Sequence, residues 1–194
     1  MRKQKAFYFK SIFHLAILTA LLLPATVMSQ QNRAETRKEK RARDKAEQLK
    51  KYEKARQLIV DSTFVVPADN ILLGDGTFMT PAQRTINFLK MNGDEAVIQV
   101  GSDFARTRGL NSLGGVTLKG KVSNLKIKEK ENKHRLFMTF TLTGLIGTAR
   151  ISLSLTGSDR AVVDVDGMFS GRAFSLRGPV QPLSETNIFE GTEF

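Results

Sequence analysis

The chain has 194 residues, of which 30 are Lys or Arg and 19 are Asp or Glu, and its formal net charge is +11. It holds no cysteine, which excludes a disulfide framework, a thiolate nucleophile, cysteine zinc sites and a lipid-modified N-terminal cysteine. The length suits one domain with a small appendage, and so large a positive charge first points to nucleic acid as a partner.

The first thirty residues have the layout of a secretory signal peptide. Four basic residues within the first ten precede an apolar stretch over residues 12–28, which Pro24 interrupts. Val27 and Ser29 are residues that signal peptidase accepts, so we expect cleavage between Ser29 and Gln30. We therefore predict a signal peptide over 1–29 and an exported mature chain that is not a lipoprotein and does not span the membrane. The alternative is an uncleaved anchor helix, which would be at the short limit for a bilayer core.

Residues 30–60 are predicted to form a charged α-helix. The stretch 33–56 carries 11 basic and 5 acidic residues and has neither Gly nor Pro, and good helix formers dominate it. A thin apolar stripe recurs at three- and four-residue steps, at Ala42, Ala46, Leu49, Tyr52, Ala55 and Ile59. Two interpretations remain open: a solvated helix whose end near Leu58 and Ile59 docks on the domain, or an arm that makes peripheral contact with an anionic surface such as lipid headgroups or acidic glycan.

Residues 61–194 are predicted to form an antiparallel β domain. Apolar and polar residues alternate over several segments, most clearly over 136–143 and 151–156, as in strands that cover a single core. Turn signals such as Asn92-Gly93 separate these segments. In 116–128 the apolar phase slips, which predicts a bulge at Ser123-Asn124. The fold class is therefore mostly β: an up-and-down meander of about eight strands, forming a small barrel or sandwich after one N-terminal helix.

The positive charge is unevenly distributed along the chain. The β domain has 15 basic and 14 acidic residues, so the excess belongs to the leader and the helix. We therefore expect no nucleic-acid partner. We also expect any salt-sensitive binding to vanish when residues 33–56 are deleted, while the fold survives.

An ordered set of short segments resembles a known bacterial envelope family. The segments are Phe64-Val65-Val66-Pro67-Ala68, Asn87-Phe88-Leu89, the run 93–99, the run 113–122, Gly178-Pro179-Val180 and Phe189-Glu190-Gly191. Together they resemble domain of unknown function 4251, common in Bacteroidota, over roughly residues 35–191. The resemblance implies an exported, mostly β protein of the periplasm or the secreted fraction of a Gram-negative bacterium. It implies no activity and carries no catalytic residue.

The chemistry-bearing residues favour a protein that is not an enzyme. His134, the one histidine after the leader, lies in a charged turn that is a poor place for a catalytic base. Asp164 and Asp166 lie on one face of a strand and follow Asp159. An exposed strand face explains these acids, and calcium binding or glycoside hydrolysis are the alternatives. We predict no catalytic residue, no metal site and no cofactor.

Two candidate binding features remain. The glycine-rich stretch 109–115 lacks the Lys-Ser/Thr ending of a phosphate loop, but the loop 102–112 before the next strand offers Arg106 and Arg108 as anion contacts. Five phenylalanines could line a cavity if the barrel is not filled, although core packing explains them as well: Phe88, Phe137, Phe140, Phe169 and Phe174.

Three functions follow from these features. The leading hypothesis is a non-enzymatic carrier that holds a small apolar ligand inside a barrel. The alternative is an envelope interaction or scaffold module that binds an envelope protein through its basic helix. A carboxylate-dependent hydrolase is the third.

Overall fold

The computed structural model describes residues 24–74, 78–79, 82–101, 115–167 and 173–191. Within these ranges it confirms the predicted class, a mostly antiparallel β protein with one N-terminal α-helix. Residues 1–23 lie outside the described ranges, so the signal peptide and its cleavage between Ser29 and Gln30 stay predictions.

Helix α1 spans Pro24–Val60 and has 37 residues, so it begins before the predicted start at residue 30. Proline suits the first turn of a helix, because a backbone N–H there has no partner within the helix. Good helix formers then continue it without a break. Among the described residues, no helix is long and apolar enough to cross a membrane.

The chain divides into two compact units, Met1–Glu47 and Gln48–Phe194, and the last part of α1 belongs to the second. Side chains over 36–51 are exposed, whereas Tyr52, Ala55 and Ile59 are buried in the main core. Their steps of three and four residues form one helix face, and Leu58 packs beside them. The predicted docking near Leu58 and Ile59 is therefore confirmed. Deletion of 33–56 would remove Tyr52 and Ala55 from this core, so the structure argues against the expected survival of the fold after that deletion.

Ten strands follow in the described part of the second unit. Their bounds are β1 Thr63–Pro67, β2 Asn70–Leu73, β3 Phe78–Met79, β4 Phe88–Asn92, β5 Glu95–Val100, β6 Val116–Lys130, β7 Arg135–Gly144, β8 Gly147–Thr156, β9 Arg160–Asp166 and β10 Phe174–Pro179. Glu131–Lys133 forms a short 3-10 helix between β6 and β7, and Leu183–Glu185 forms another after β10. The number exceeds the predicted eight because β1, β2 and β3 are short and lack a clear alternation.

All ten strands belong to one sheet in the order β1-β4-β5-β6-β7-β8-β9-β10-β2-β3. Strands β4 to β10 form an up-and-down antiparallel meander, and the sheet curls into a half-barrel. The segment after β10 returns to β1, where Val65 and Gln181 exchange two backbone hydrogen bonds of 2.8 Å. Gly178 allows this approach, because a Cβ there would lie 1.9 Å from the carbonyl oxygen of Pro67.

The main core lies on the inner face of the curled sheet. Side chains from every strand between β4 and β10 meet those of α1 there, and the largest are fully buried, among them Tyr52, Phe64, Leu136, Met138 and Phe140. A second, smaller cluster lies apart from this core, where Val65, Phe88 and Val97 pack with Leu183 and Ile188. The C-terminal segment therefore covers part of the outer face.

Strand β6 contains the predicted irregularity. Its register with β7 shifts between Ser123 and Lys126, and Asn124 has a φ of 55°. Val122 before the shift pairs with Leu142, and Ile127 after it pairs with Met138. Both apolar residues therefore remain on the inner face, as the slip in the sequence required.

Candidate functional site

The four described phenylalanines of the predicted cavity do not surround a common space. Phe140 and Phe174 pack in the inner core. Phe88 belongs to the small outer cluster, and Phe137 is 40% exposed. Phe169 lies outside the described residues, as do Arg106 and Arg108 of the predicted anion-binding loop.

The carboxylates considered for catalysis lie on the surface. Asp164 and Asp166 are exposed on β9, and Asp164 accepts a 2.6 Å hydrogen bond from Ser175 Oγ. Asp159 lies in the turn before β9. Within the described ranges, no group of three His, Asp or Glu residues is close enough to hold a metal ion.

An open cleft of about 210 Å³ lies between the end of α1 and the segment after β10. Lys54, Asp159 and Glu185 are among its lining residues, and Lys54 Nζ lies 3.3 Å from the Glu185 carboxylate. Binding sites for small molecules are usually larger and mostly apolar. The cleft therefore fits water or a small polar group better than an apolar ligand.

The inner side of the β6–β7 hairpin contacts α1. Arg56 donates a 2.7 Å hydrogen bond from Nε to the Glu129 carboxylate, which raises the pKa of Arg56. His134, in the turn of the hairpin with a φ of 46°, makes an edge contact with Tyr52 at 5.6 Å between ring centroids. Burial raises the pKa of the Tyr52 hydroxyl, and the nearby charges of Glu53 and Glu129 act in the same direction.

The outer side of this hairpin is strongly basic. Lys126, Lys128 and Lys130 occupy alternate positions of β6, opposite Thr139, Phe137 and Arg135 of β7 in that order. We call the surface formed by Lys126, Lys128, Lys130, Arg135 and Phe137 the basic face. All five side chains are exposed. The sequence contains a pattern that predicts this face, because cations at every second residue of a strand share one face. The net charge of the β domain is close to zero and does not reveal that pattern.

A buried polar network underlies the C-terminal segment and was not predicted. Gln99 is 0% exposed, and its Nε2 donates to the backbone oxygens of Ile86 and Phe189 at 3.0 and 2.8 Å. Its Oε1 accepts from Thr117 Oγ1 at 2.9 Å and from the Gly191 backbone at 2.7 Å. In the described part of the chain every buried side-chain nitrogen and oxygen has a partner. The network is therefore fully satisfied and holds the segment in place.

A second surface cluster joins distant parts of the chain. The carboxylate of Asp69 accepts hydrogen bonds from the guanidinium groups of Arg84 and Arg160. Partial burial opposes ionisation of Asp69, but the two arginines outweigh it and lower the pKa of the carboxyl group. The cluster links the segments before β2, before β4 and at the start of β9, which is a structural role.

The comparisons with known proteins agree with this fold. A solved structure of similar form is the crystal structure of a DUF4251 family protein from Bacteroides eggerthii DSM 20697, which is 27% identical. The match has a TM-score of 0.62 and covers 77% of this chain and 99% of that one. No curated protein sequence matches. The family model "Domain of unknown function (DUF4251)" matches residues 46–180. Since that match spans most of the chain, the protein belongs to the DUF4251 family.

Proposed function

We propose that the protein is an exported, non-enzymatic binding module of the cell envelope that contacts its partner through its surface. The observation that carries this proposal is the continuous apolar cluster that the described residues form on the inner face of the sheet. Tyr52 and Ile59 from α1 and Phe140 from β7 are at most 2% exposed and belong to one continuous cluster. A carrier of the same size would need an apolar cavity of several hundred cubic ångström.

The distribution of polar groups also favours a surface function. The buried Gln99 and Asn87 have all their bonds within the protein, so neither offers a free group to a ligand in the interior. The cations of the β6–β7 hairpin, in contrast, are exposed. Charged and hydrogen-bonding groups available to a partner therefore lie on the outside.

Export is the part of the proposal that rests on the N-terminal sequence. Four basic residues, an apolar stretch and the acceptable pair Val27 and Ser29 are typical of a signal peptide. N-terminal sequencing of the protein from its own cells tests this directly. A mature chain beginning at Gln30 in the periplasm or medium is expected, and a full-length chain in the cytoplasm would contradict export.

Native mass spectrometry distinguishes a surface-acting module from a carrier. Protein purified from its own periplasm without detergent should have the mass of the bare polypeptide, and incubation with a long-chain fatty acid should add no stoichiometric mass. A tightly retained apolar molecule that stabilises the protein against heat would contradict the proposal and restore the carrier hypothesis.

A further inference from the structure

The basic face gathers positive charge that no acidic residue in the described part of the chain neutralises. Within the described ranges, Lys126, Lys128, Lys130 and Arg135 form no ion pair. Lys121, on the same strand before the bulge, contacts Asp94 at 3.1 Å and Glu95 at 3.0 Å. The far half of β6 therefore differs from the near half in having cations without partners.

Because alternate residues of a strand face opposite sides, the acidic and basic side chains at this end of β6 lie on opposite faces of the sheet. Glu129 lies between Lys128 and Lys130 in the sequence, but its side chain points inward and pairs with Arg56. The lysines on either side point outward. The acid that would neutralise them is therefore used to hold α1, and the outer face keeps its positive charge.

This arrangement is unfavourable in the isolated protein. Lys130 of β6 lies directly opposite Arg135 of β7. Like charges in opposite positions destabilise a sheet. Alternate side chains of a strand lie about 7 Å apart, so the three lysines also repel one another. A partner that carries repeated negative charge would relieve this repulsion.

The surroundings of the lysines indicate what kind of polyanion would fit. Thr139 of β7 lies opposite Lys126. On the next strand, β8, Ser152 lies opposite Thr139 and Ser154 lies opposite Phe137. These hydroxyl groups can donate and accept hydrogen bonds. Phe137 lies opposite Lys128 and next to Ser154, and its half-exposed ring offers an apolar surface within this polar one.

We propose that the basic face binds an acidic polysaccharide. The lysines and Arg135 would contact its carboxylate groups, the Thr and Ser hydroxyls its sugar hydroxyls, and Phe137 the apolar face of one sugar ring. Single-stranded nucleic acid fits less well, since its bases stack on several aromatic side chains in succession. An anionic membrane fits less well too, because Phe137 lies within a row of polar residues and not at a protruding loop.

The proposal names the partner of the surface-acting module and therefore rests on that function. Binding of the full-length mature protein to polygalacturonate, measured by biolayer interferometry at low and physiological salt, tests it. The triple variant Lys126→Gln, Lys128→Gln, Lys130→Gln should lose about tenfold in affinity, the sum of three exposed ion contacts. Its salt dependence should become flatter, and neutral dextran should not bind either protein.

A matched variant separates the basic face from the helix. Lys38→Gln, Arg41→Gln, Lys45→Gln removes the same charge from exposed positions of α1 and should bind polygalacturonate like the wild type. Phe137→Thr should weaken binding while the salt dependence stays unchanged. Circular dichroism and thermal unfolding of each variant confirm that the sheet is intact.

The proposal is overturned if wild-type protein does not bind polygalacturonate, if the lysine variant binds as well as wild type, or if the helix variant loses as much. Stronger binding to single-stranded DNA or to phosphatidylglycerol vesicles would overturn the choice of polysaccharide. A retained apolar molecule in the native mass spectrum would instead contradict the surface function, so the two failures have different readouts.

Discussion

Gln99 is the next-to-last residue of β5, a mostly apolar strand. Its four hydrogen bonds reach Thr117 of β6 and the backbone of Ile86, Phe189 and Gly191. The Gln99→Leu variant would lose all four of these hydrogen bonds at a position where the side chain is fully buried. We expect it to lower the free energy of unfolding by about 3 kcal/mol, measured by urea denaturation. Gln48→Leu, at an exposed position of α1, is the control and should change it by less than about 0.5 kcal/mol. Equal effects of the two substitutions would mean that the network contributes nothing.

The Asp69 cluster makes stability depend on pH. Its carboxyl group has a lowered pKa in the folded protein, so its stabilising contribution is present above the unfolded-state pKa of about 3.9 and is lost as pH falls towards the folded-state pKa. Asp69→Asn should therefore be clearly destabilising at pH 7, and the gap to wild type should narrow towards pH 3. Chemical denaturation at several pH values measures the gap, with the exposed Asp166→Asn as control. A gap that is constant over this range would contradict the expectation.

At the scale of one element, the bulge in β6 depends on Asn124. Its φ of 55° is a conformation that Asn tolerates and that β-branched residues strongly disfavour. Asn124→Val should lower the free energy of unfolding by about 1–2 kcal/mol, whereas Asn124→Gly should have little effect because glycine adopts positive φ readily. Thermal and urea unfolding of both variants measure this. If valine is as well tolerated as glycine, the left-handed conformation at Asn124 is not required.

The elements that the sequence predicted well are those whose pattern is local. The alternation over 136–143 predicted β7, and the slip of phase at Ser123-Asn124 predicted the bulge, because each follows from a period of two on one strand. Strand β1 was harder to recognise, since residues 64–67 are buried on both faces and show no alternation. The outer face is covered there by the C-terminal segment, whose distance along the chain hides the reason from any local pattern.

The candidate sites also depend partly on local patterns and partly on long-range contacts. The lysines of β6 could be recognised from their spacing alone, but the absence of neutralising acids depends on Glu129 pairing with Arg56 of α1. The burial of Gln99 depends on Gly191 and Phe189, far away in the chain. Such long-range contacts are set by the way the sheet curls, which the residues of one strand do not specify.

At the scale of the whole molecule, the near-zero charge of the β domain hides a separation of signs. Lys90 and Lys121 are paired with acids, whereas the cations of the basic face have no acidic partner among the residues that the structure describes. A protein that is almost neutral in total can therefore still present a surface for a polyanion. This changes the expectation that salt-sensitive binding would vanish with the helix, because the attraction that we propose comes from the β6–β7 hairpin.

Only the last part of the helix contributes to the core, whereas the part before it is exposed, and truncation separates these two parts. Exposed side chains over 36–47 contribute nothing to the core, so a chain that begins at Gln48 should unfold within a few degrees of the mature protein. A chain that begins at Asp61 loses Tyr52, Ala55 and Ile59 from the core together with the Arg56–Glu129 pair. Removing buried side chains as large as those of Tyr52 and Ile59 costs several kcal/mol each, and the combined loss is comparable to the whole stability of a domain. We expect the second chain not to fold, as measured by circular dichroism and thermal unfolding. If it melts cooperatively at the same temperature as the first, the end of α1 is not part of the core that stabilises the sheet.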